Sequence, residues 1–461
     1  MRRVGAGCLL LLALAGCSRS LGTPDLGALY TRAAQADDRQ RNPIIVIPGI
    51  LGSRLREGPD GRVVWGAFES GAADVREPEG LRALALPIEA GQPLAALRDE
   101  LIADRVLDRI RVQLFRLPLE SRAYFRLLAA LGAGGYRDQD LAGEVDYGGR
   151  HFTCFQFPYD WRRDIGENAA ALADFIAAKR HYVEGEMRRR YGEVHPVRFD
   201  LVAHSMGGLV ARHYLYYGRE APPAEGVPWR GAAGIERVVL IAPPNAGSLD
   251  ALNRLVEGAD YSWLLPHFEA GLLGTFPAIY QLLPRARHGA LLENGQAADP
   301  LDPALWRRQR WGLLDPAQAP VLAALLPQHP DPAQHFALAD EHLVKSLARA
   351  AAVQEALDRP AEPPPGLSLH LLVGDAVPTL ARYRIGPAGA LEAQHWSAGD
   401  GLVTRASALL DERADGHWRP RLRTPLPWDS VMFFQGEHLA LMESPAFIDN
   451  LLYLLLEQPT P

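Results

Sequence analysis

The chain has 461 residues, and a hydrophobic content of 48% supplies enough apolar side chains for a large globular core, as one big domain with an insertion or as two domains. Its net charge is −7, and its densest basic runs, Arg188–Arg190 and the stretch 306–311, are short and acid-flanked or helical, so solvated helix faces account for them. A nucleic-acid partner is therefore not expected.

At the start, Arg2 and Arg3 precede an apolar stretch, Val4 to Ala15, that is too short to span a bilayer. It reads as an export signal. Leu14-Ala15-Gly16-Cys17 resembles the bacterial lipobox, in which small residues before a cysteine allow cleavage once its thiol is lipidated; the alternative is an ordinary secretory signal cut nearby. The expectation is a signal peptide over 1–16, lipid attachment at Cys17, and a flexible tether over 17–40, where Gly, Pro, Asp and Gln occur without periodicity. Cys8 would leave with the signal. Cys154 then has no partner, so no intrachain disulfide is expected, and it reads as a small core residue on a strand.

Ile44 to Ile47 is the first buried strand, ended by "PGILGS". Residues 54–112 read as irregular, with Gly and Pro clusters and an isolated "RVVWG". A helical pattern at "SRAYFRLLAALGAGGY" leads to a strand at His151–Phe157, then "PYDWRRD", then a helix over Asn168–Tyr191. Next come "FDLVAHSMGGLVARHYL" and the strand Ile235–Ala242. Alternating strands and helices of this kind predict an α/β fold, a mostly parallel sheet with helices on both faces. From Leu249 to Gly366 the strand pattern gives way to apolar helical pieces, read as an all-helical cap inserted before the acid-bearing strand. Strands return at Leu367–Val373 and Ser430–Gln435. A closing helix follows, with Ser444 as N-cap, Pro445 at its first position and Phe447, Leu451, Leu452 and Leu455 on its core face. The predicted layout is a core over 41–248 with a candidate lid within 54–112, the cap over 249–366, and the rest of the core over 367–461.

The stretch 199–215 carries the chemistry. A β-branched run ends at Ala203-His204-Ser205-Met206-Gly207, and Leu209, His213, Tyr214 and Tyr217 then fall at helical spacing. Strand, tight turn, helix with a serine at the apex is the nucleophile elbow G-x-S-x-G, with Ala in the first small position. A serine needs a base, an acid and an oxyanion site. His438 ends "FFQGEH" directly after the last strand, where a loop can bring an imidazole over Ser205; His417, in "ADGHWRP", is the alternative. His204 is expected to point away from Ser205 in an extended backbone. For the acid, both Asp375, at a strand end, and Asp400, between Gly399 and Gly401, qualify from the residues alone. Met206, after the serine, and Ile50, in a turn freed by Gly49 and Gly52, are the expected oxyanion N–H donors. No cluster has metal-ligand spacing and no Gly-rich loop opens a helix, so no cofactor and no metal are expected.

Together "VIPGILGSRL", "FPYDWRRD", "LVAHSMGGLVARHYL", "LIAPPNAGS", "VGDAVPTLARY", "AGDGLVTRASAL" and "GEHLALM" resemble, in order, the lecithin:cholesterol acyltransferase and lysosomal phospholipase family of α/β-hydrolases. The resemblance implies that a serine cleaves a lipid ester and passes the acyl group to water or an alcohol. By motif position it implies Ser205 as nucleophile, Asp400 as acid, His438 as base, and Ile50 and Met206 as oxyanion donors. In the family "GDAVPT" is a turn into a hairpin, which makes "AGDGLV" the return to the strand ends. The chain departs from animal members, which close a lid loop with a disulfide, because no cysteine stands between Cys17 and Cys154. Tyr159–Arg162 either shapes the site wall or packs the core.

The expectation is a serine esterase, lipase or O-acyltransferase, anchored through Cys17 in the bacterial cell envelope and facing the periplasm, with a phospholipid or acylglycerol as substrate. A carboxylesterase of soluble esters and a catalytically silent envelope lipoprotein are the alternatives. Cys17→Ser should release the protein from membranes, measured by fractionation, while leaving turnover of a short-chain ester intact; equal membrane association of the variant would overturn the lipobox reading.

Overall fold

The computed structural model describes residue 30 and residues 41–459, other than 59–60, 69–72, 108, 115–116, 123, 148–150, 262–264, 292–294 and 414–419. The expected signal peptide, Cys17, nearly all of the tether, and His417 lie outside the described residues. A central sheet is built from β1 (Ile44–Ile47), β2 (Cys154–Gln156), β3 (Phe199–His204), β4 (Ile235–Ile241), β5 (Ser368–Gly374) and β6 (Ser430–Phe434), all parallel, in the spatial order β6-β5-β4-β3-β1-β2. Near-continuous apolar runs are what strands buried on both faces require. Alternation divides the two sides. Ile45, Ile47, Leu201, Ala203, Val238 and Leu240 join one core, while Ile44, Val46, Val202, Val239 and Ile241 join the other.

Six helices matter for the site: α1 (Phe125–Ala133), α2 (Ile165–Tyr191), α3 (Met206–Tyr217), α4 (Leu249–Glu257), α5 (Pro332–Asp358) and α6 (Pro445–Leu456). Helices α1 and α6 cover the face of Ile44 and Val202 through Leu127, Leu131, Phe447 and Leu451. Helices α2 to α5 cover the other. Asp164 caps α2 by accepting from the Glu167 N–H, and Gly192 ends it in the left-handed region, at φ 75°. Every residue of α3 is buried.

Two expectations are corrected. The stretch 54–112 is not irregular: Ser53–Glu57 pairs antiparallel with Val63–Trp65 and Leu101–Val106, and a hairpin follows at Arg109–Leu114 and Leu117–Arg122. Its strands run from two to six residues between the Gly and Pro clusters, and one of them, Arg109–Leu114, alternates polar and apolar residues, a strand signal that the irregular reading passed over. Nor is the block 249–366 all helical, since Ala290–Leu291 pairs with Ala297–Ala298 and with the first strand of a long hairpin, Val377–Ile385 and Leu391–Gly399.

More of that block belongs to the sheet domain than a cap would. Neighbouring parallel strands β4 and β5 require a crossover that packs on the sheet, and α5 ends it. Tyr217 Oη donates to the Ala356 carbonyl (2.7 Å), Arg212 donates to the Leu357 carbonyl, and Leu343 and Leu347 are fully buried in the shared core. Leu347→Ala should therefore lower the stability of the whole protein by about 2–5 kcal/mol, seen as an earlier but still single urea-unfolding transition. A separate early transition that leaves the sheet folded would mean that the block is an independent unit.

Candidate active site

The turn between β3 and α3 is forced by its surroundings. Ser205 holds φ 53° and ψ −127°, which no regular element uses. A Cβ on Gly207 would lie 2.3 Å from the Pro48 carbonyl oxygen, and one on Gly49 would lie 2.8 Å from Ser205 Cβ. Only glycine lets the β1 turn and the elbow touch. Ser205 does not cap α3 with its side chain; the hydroxyl turns instead to His438.

His438 Nε2 lies 2.8 Å from Ser205 Oγ, and His438 Nδ1 lies 2.7 Å from Asp400 Oδ2. The other carboxylate oxygen, Oδ1, accepts the N–H groups of Leu402 (3.0 Å) and Val403 (2.7 Å), and the His438 N–H donates to the Asp400 carbonyl (2.9 Å). All three residues are buried, with exposures of 7%, 8% and 1% for Ser205, His438 and Asp400. Burial works against the Asp400 charge, but the His438 ring, its hydrogen bond and the two backbone N–H groups outweigh it and hold the carboxyl below its ordinary pKa. Gly401, at φ 93°, turns the chain around the carboxylate and donates to Thr379 Oγ1 (2.8 Å).

Asp375 does not join them. Its carboxylate accepts from Arg405 (2.9 Å) at the start of the hairpin, which carries the chain away and back to Asp400. His395, a further histidine downstream of β5 that sequence reasoning passed over, is exposed on the hairpin's second strand.

In the turn after β1, the Gly52 N–H closes on the Gly49 carbonyl (3.1 Å), with Leu51 at φ 65°. The N–H groups of Ile50 and Met206 take no partner among the described residues. Sequence reasoning left the role of "PYDWRRD" open, and the contacts define it. Tyr159 Oη donates to the Pro48 carbonyl (2.8 Å), the Tyr159 N–H donates to Ser53 Oγ (3.1 Å), and Trp161 Nε1 donates to the Ser53 carbonyl (3.1 Å). The motif fastens the turn from one side. Trp65 Nε1 adds a bond to the Leu51 carbonyl (2.9 Å).

Two further residues, His204 and Tyr124, have bonds here that the sequence did not reveal. His204 does point away from Ser205, but into a bonded pocket: Nδ1 lies 2.8 Å from Tyr124 Oη and Nε2 lies 3.1 Å from the His438 carbonyl. Burial, reinforced by the nearby His438 ring, pushes its pKa down to about 3, so it stays neutral. Tyr124 comes from a segment whose only sequence signal was helical spacing.

Residues 143–307 match the family model of lecithin:cholesterol acyltransferase. The chain is 31% identical over 162 residues to the human (Homo sapiens) lysosomal phospholipase A and acyltransferase, covering 32% of this chain and 33% of that protein, and 30% identical over 160 residues to the mouse (Mus musculus) protein of the same name, covering 31% and 33%. The chain thus spans about a third of the length of the curated relatives it matches. A chain of the solved Tle4-Tli4 complex is similar at a TM-score of 0.52 and 15% identity, covering 91% of this chain and 98% of that one. These findings bear out the resemblance read from the motifs, and the fold is that of an α/β-hydrolase. Asp400 and His438 lie beyond residues 143–307, the stretch that the family model matches, and their assignment rests on geometry.

Asp400→Asn, which keeps the size and loses the charge, should lower ester turnover by about three to four orders of magnitude without unfolding the protein. Asp375→Asn should have far less effect. The reverse ranking at equal thermal stability would remove Asp400 from the site.

Proposed function

We propose that this lecithin:cholesterol acyltransferase-like α/β-hydrolase is a serine-dependent lipid acyl hydrolase or O-acyltransferase. The observation that carries the reading is the unbroken hydrogen-bonded line from Ser205 Oγ through His438 to the buried Asp400, set on an elbow. As Ser205 Oγ attacks the ester carbonyl, His438 Nε2 takes its proton, and Asp400 stabilises the imidazolium and fixes its tautomer. The oxyanion is received by the free N–H groups of Met206 and Ile50. Collapse of the tetrahedral intermediate expels the alcohol, protonated by His438, and leaves the acyl group on Ser205. Water or an acceptor alcohol then attacks the acyl-enzyme by the same steps in reverse. The lipid character of the substrate is supported by the matched family model and the lysosomal phospholipase relatives. In this reading the protein is anchored through Cys17 at the envelope surface, facing the periplasm, which keeps the site beside membrane-borne esters. The support for the anchor is the sequence Leu14–Cys17 alone.

A fluorophosphonate should label the wild-type protein and not Ser205→Ala. Mass spectrometry of mixed phospholipids should then show release of fatty acid and lysophospholipid, with new acyl esters appearing when an alcohol is added. Labelling with turnover of soluble esters only would make the protein a carboxylesterase, and absence of labelling would make it a non-catalytic scaffold.

A further inference from the structure

Four bonds join chain segments that are distant in sequence, and each touches a part of the proposed machinery. The Gly49 N–H donates to Tyr124 Oη (2.7 Å), Tyr124 Oη meets His204 Nδ1 (2.8 Å), His204 Nε2 meets the His438 carbonyl (3.1 Å), and the His438 N–H donates to the Asp400 carbonyl (2.9 Å). Gly49 precedes Ile50, His204 precedes Ser205, and His438 is the proposed base. The protons in this line have no freedom. A backbone N–H can only donate and a carbonyl can only accept. The His438 carbonyl therefore requires a hydrogen on His204 Nε2, a neutral imidazole then offers Nδ1 as acceptor, and the Tyr124 hydroxyl must donate to it while accepting from Gly49.

Resting on the function proposed above, we infer that Tyr124 and His204 are positioning residues: a buried one-way hydrogen-bond line that holds the oxyanion turn, the elbow and the His438 loop in register. Both side chains are 2% exposed, so no water substitutes for a lost member. Burial pushes the Tyr124 phenol up from its ordinary pKa and pushes His204 down to about 3, so neither group changes charge around neutral pH and the line keeps its polarity there. The bond to Tyr124 also occupies the Gly49 N–H, so the turn does not offer that N–H to the site. On the opposite side, Tyr159 and Trp161 hold the same turn through Pro48 and Ser53. The turn is thus fixed from both flanks, which a donor aimed at a developing charge requires.

The test uses the full chain with Tyr124→Phe, His204→Gln and the double variant. Tyr124→Phe removes the hydroxyl. His204→Gln keeps a donor near the Nε2 position but loses the Nδ1 acceptor, so it cuts the same bond independently if the first variant fails to fold. Each single variant should lower kcat on a short-chain ester about 10–100-fold, with KM within twofold. Affinity for a trifluoromethyl ketone, which forms a tetrahedral adduct on the serine, should fall by the same factor. The double variant should lose no more than the worse single one, because one line has been cut twice. A kcat within threefold of wild type in the folded single variants, additive losses, or a kcat loss without a matching loss of ketone affinity would overturn the inference. Fluorophosphonate labelling of the wild type separates the two levels: no labelling overturns the functional reading itself, whereas a labelled wild type with unaffected variants overturns only the positioning line.

Discussion

The backbone at Ser205 is the constraint around which the rest is arranged. A conformation of φ 53° and ψ −127° costs an L residue about 1–3 kcal/mol and persists only where the surroundings over-determine it. Here they do so from three directions. Strand β3 enters from the middle of the sheet between β1 and β4, and the Ser205 N–H is held by the Ile241 carbonyl (2.8 Å). The wholly buried α3 leaves on the other side. The β1 turn presses against the apex through Gly49 and Gly207, where any side chain would collide. The strained backbone at Ser205 lifts its hydroxyl clear of the strand ends, towards His438.

Burying a carboxylate requires that its charge be answered on more than one side. Asp400 is 1% exposed, yet its carboxylate makes three bonds, one to His438 and two to backbone N–H groups supplied by its own turn. The backbone bonds leave one oxygen free to face the imidazole, which fixes the His438 tautomer as well as the acid's charge. Asp375, though directly after β5, lacks such an enclosure. Its ion pair with Arg405 is partly solvated, and the Arg405 guanidinium also stacks over Phe433 (3.8 Å to the ring centroid), so Asp375 serves the base of the hairpin.

What was legible in the sequence was whatever is encoded locally. The six core strands announce themselves as short apolar runs, and Ser205 by the small residues that its turn needs. The closing helix is marked by Pro445 and by its apolar spacing, although Ser444 makes no side-chain cap bond. Elements stabilised by pairing outside the central sheet were missed for two different reasons: the two-residue strands at 290–298 are too short for a period, whereas Arg109–Leu114 does alternate but stands among Gly and Pro clusters that masked it. Helix α5 had a clear pattern, but its place in the sheet's covering layer depends on the crossover from β4 to β5, which is a property of topology. At the site, His204 was visible as a residue but not as a bonding group, because its partners come from residues 124 and 438. No spacing rule connects three segments so far apart.

The same distance in sequence explains why "PYDWRRD" carries so specific a pattern. Its Tyr and Trp are core residues by burial, at 3% and 1% exposure, and yet each uses its polar edge on the turn after β1. Arg162, fully buried, holds Asp160 with two nitrogens and the Leu84 carbonyl with another, so the motif is itself braced against the segment before the hairpin. A phenylalanine would pack equally well at 159, but it would release the Pro48 carbonyl and with it one flank of the turn. Packing and positioning are therefore not alternatives for this motif. The apolar faces set where the rings lie, and the ring edges then set where Ile50 lies, to the accuracy that a hydrogen-bond donor requires.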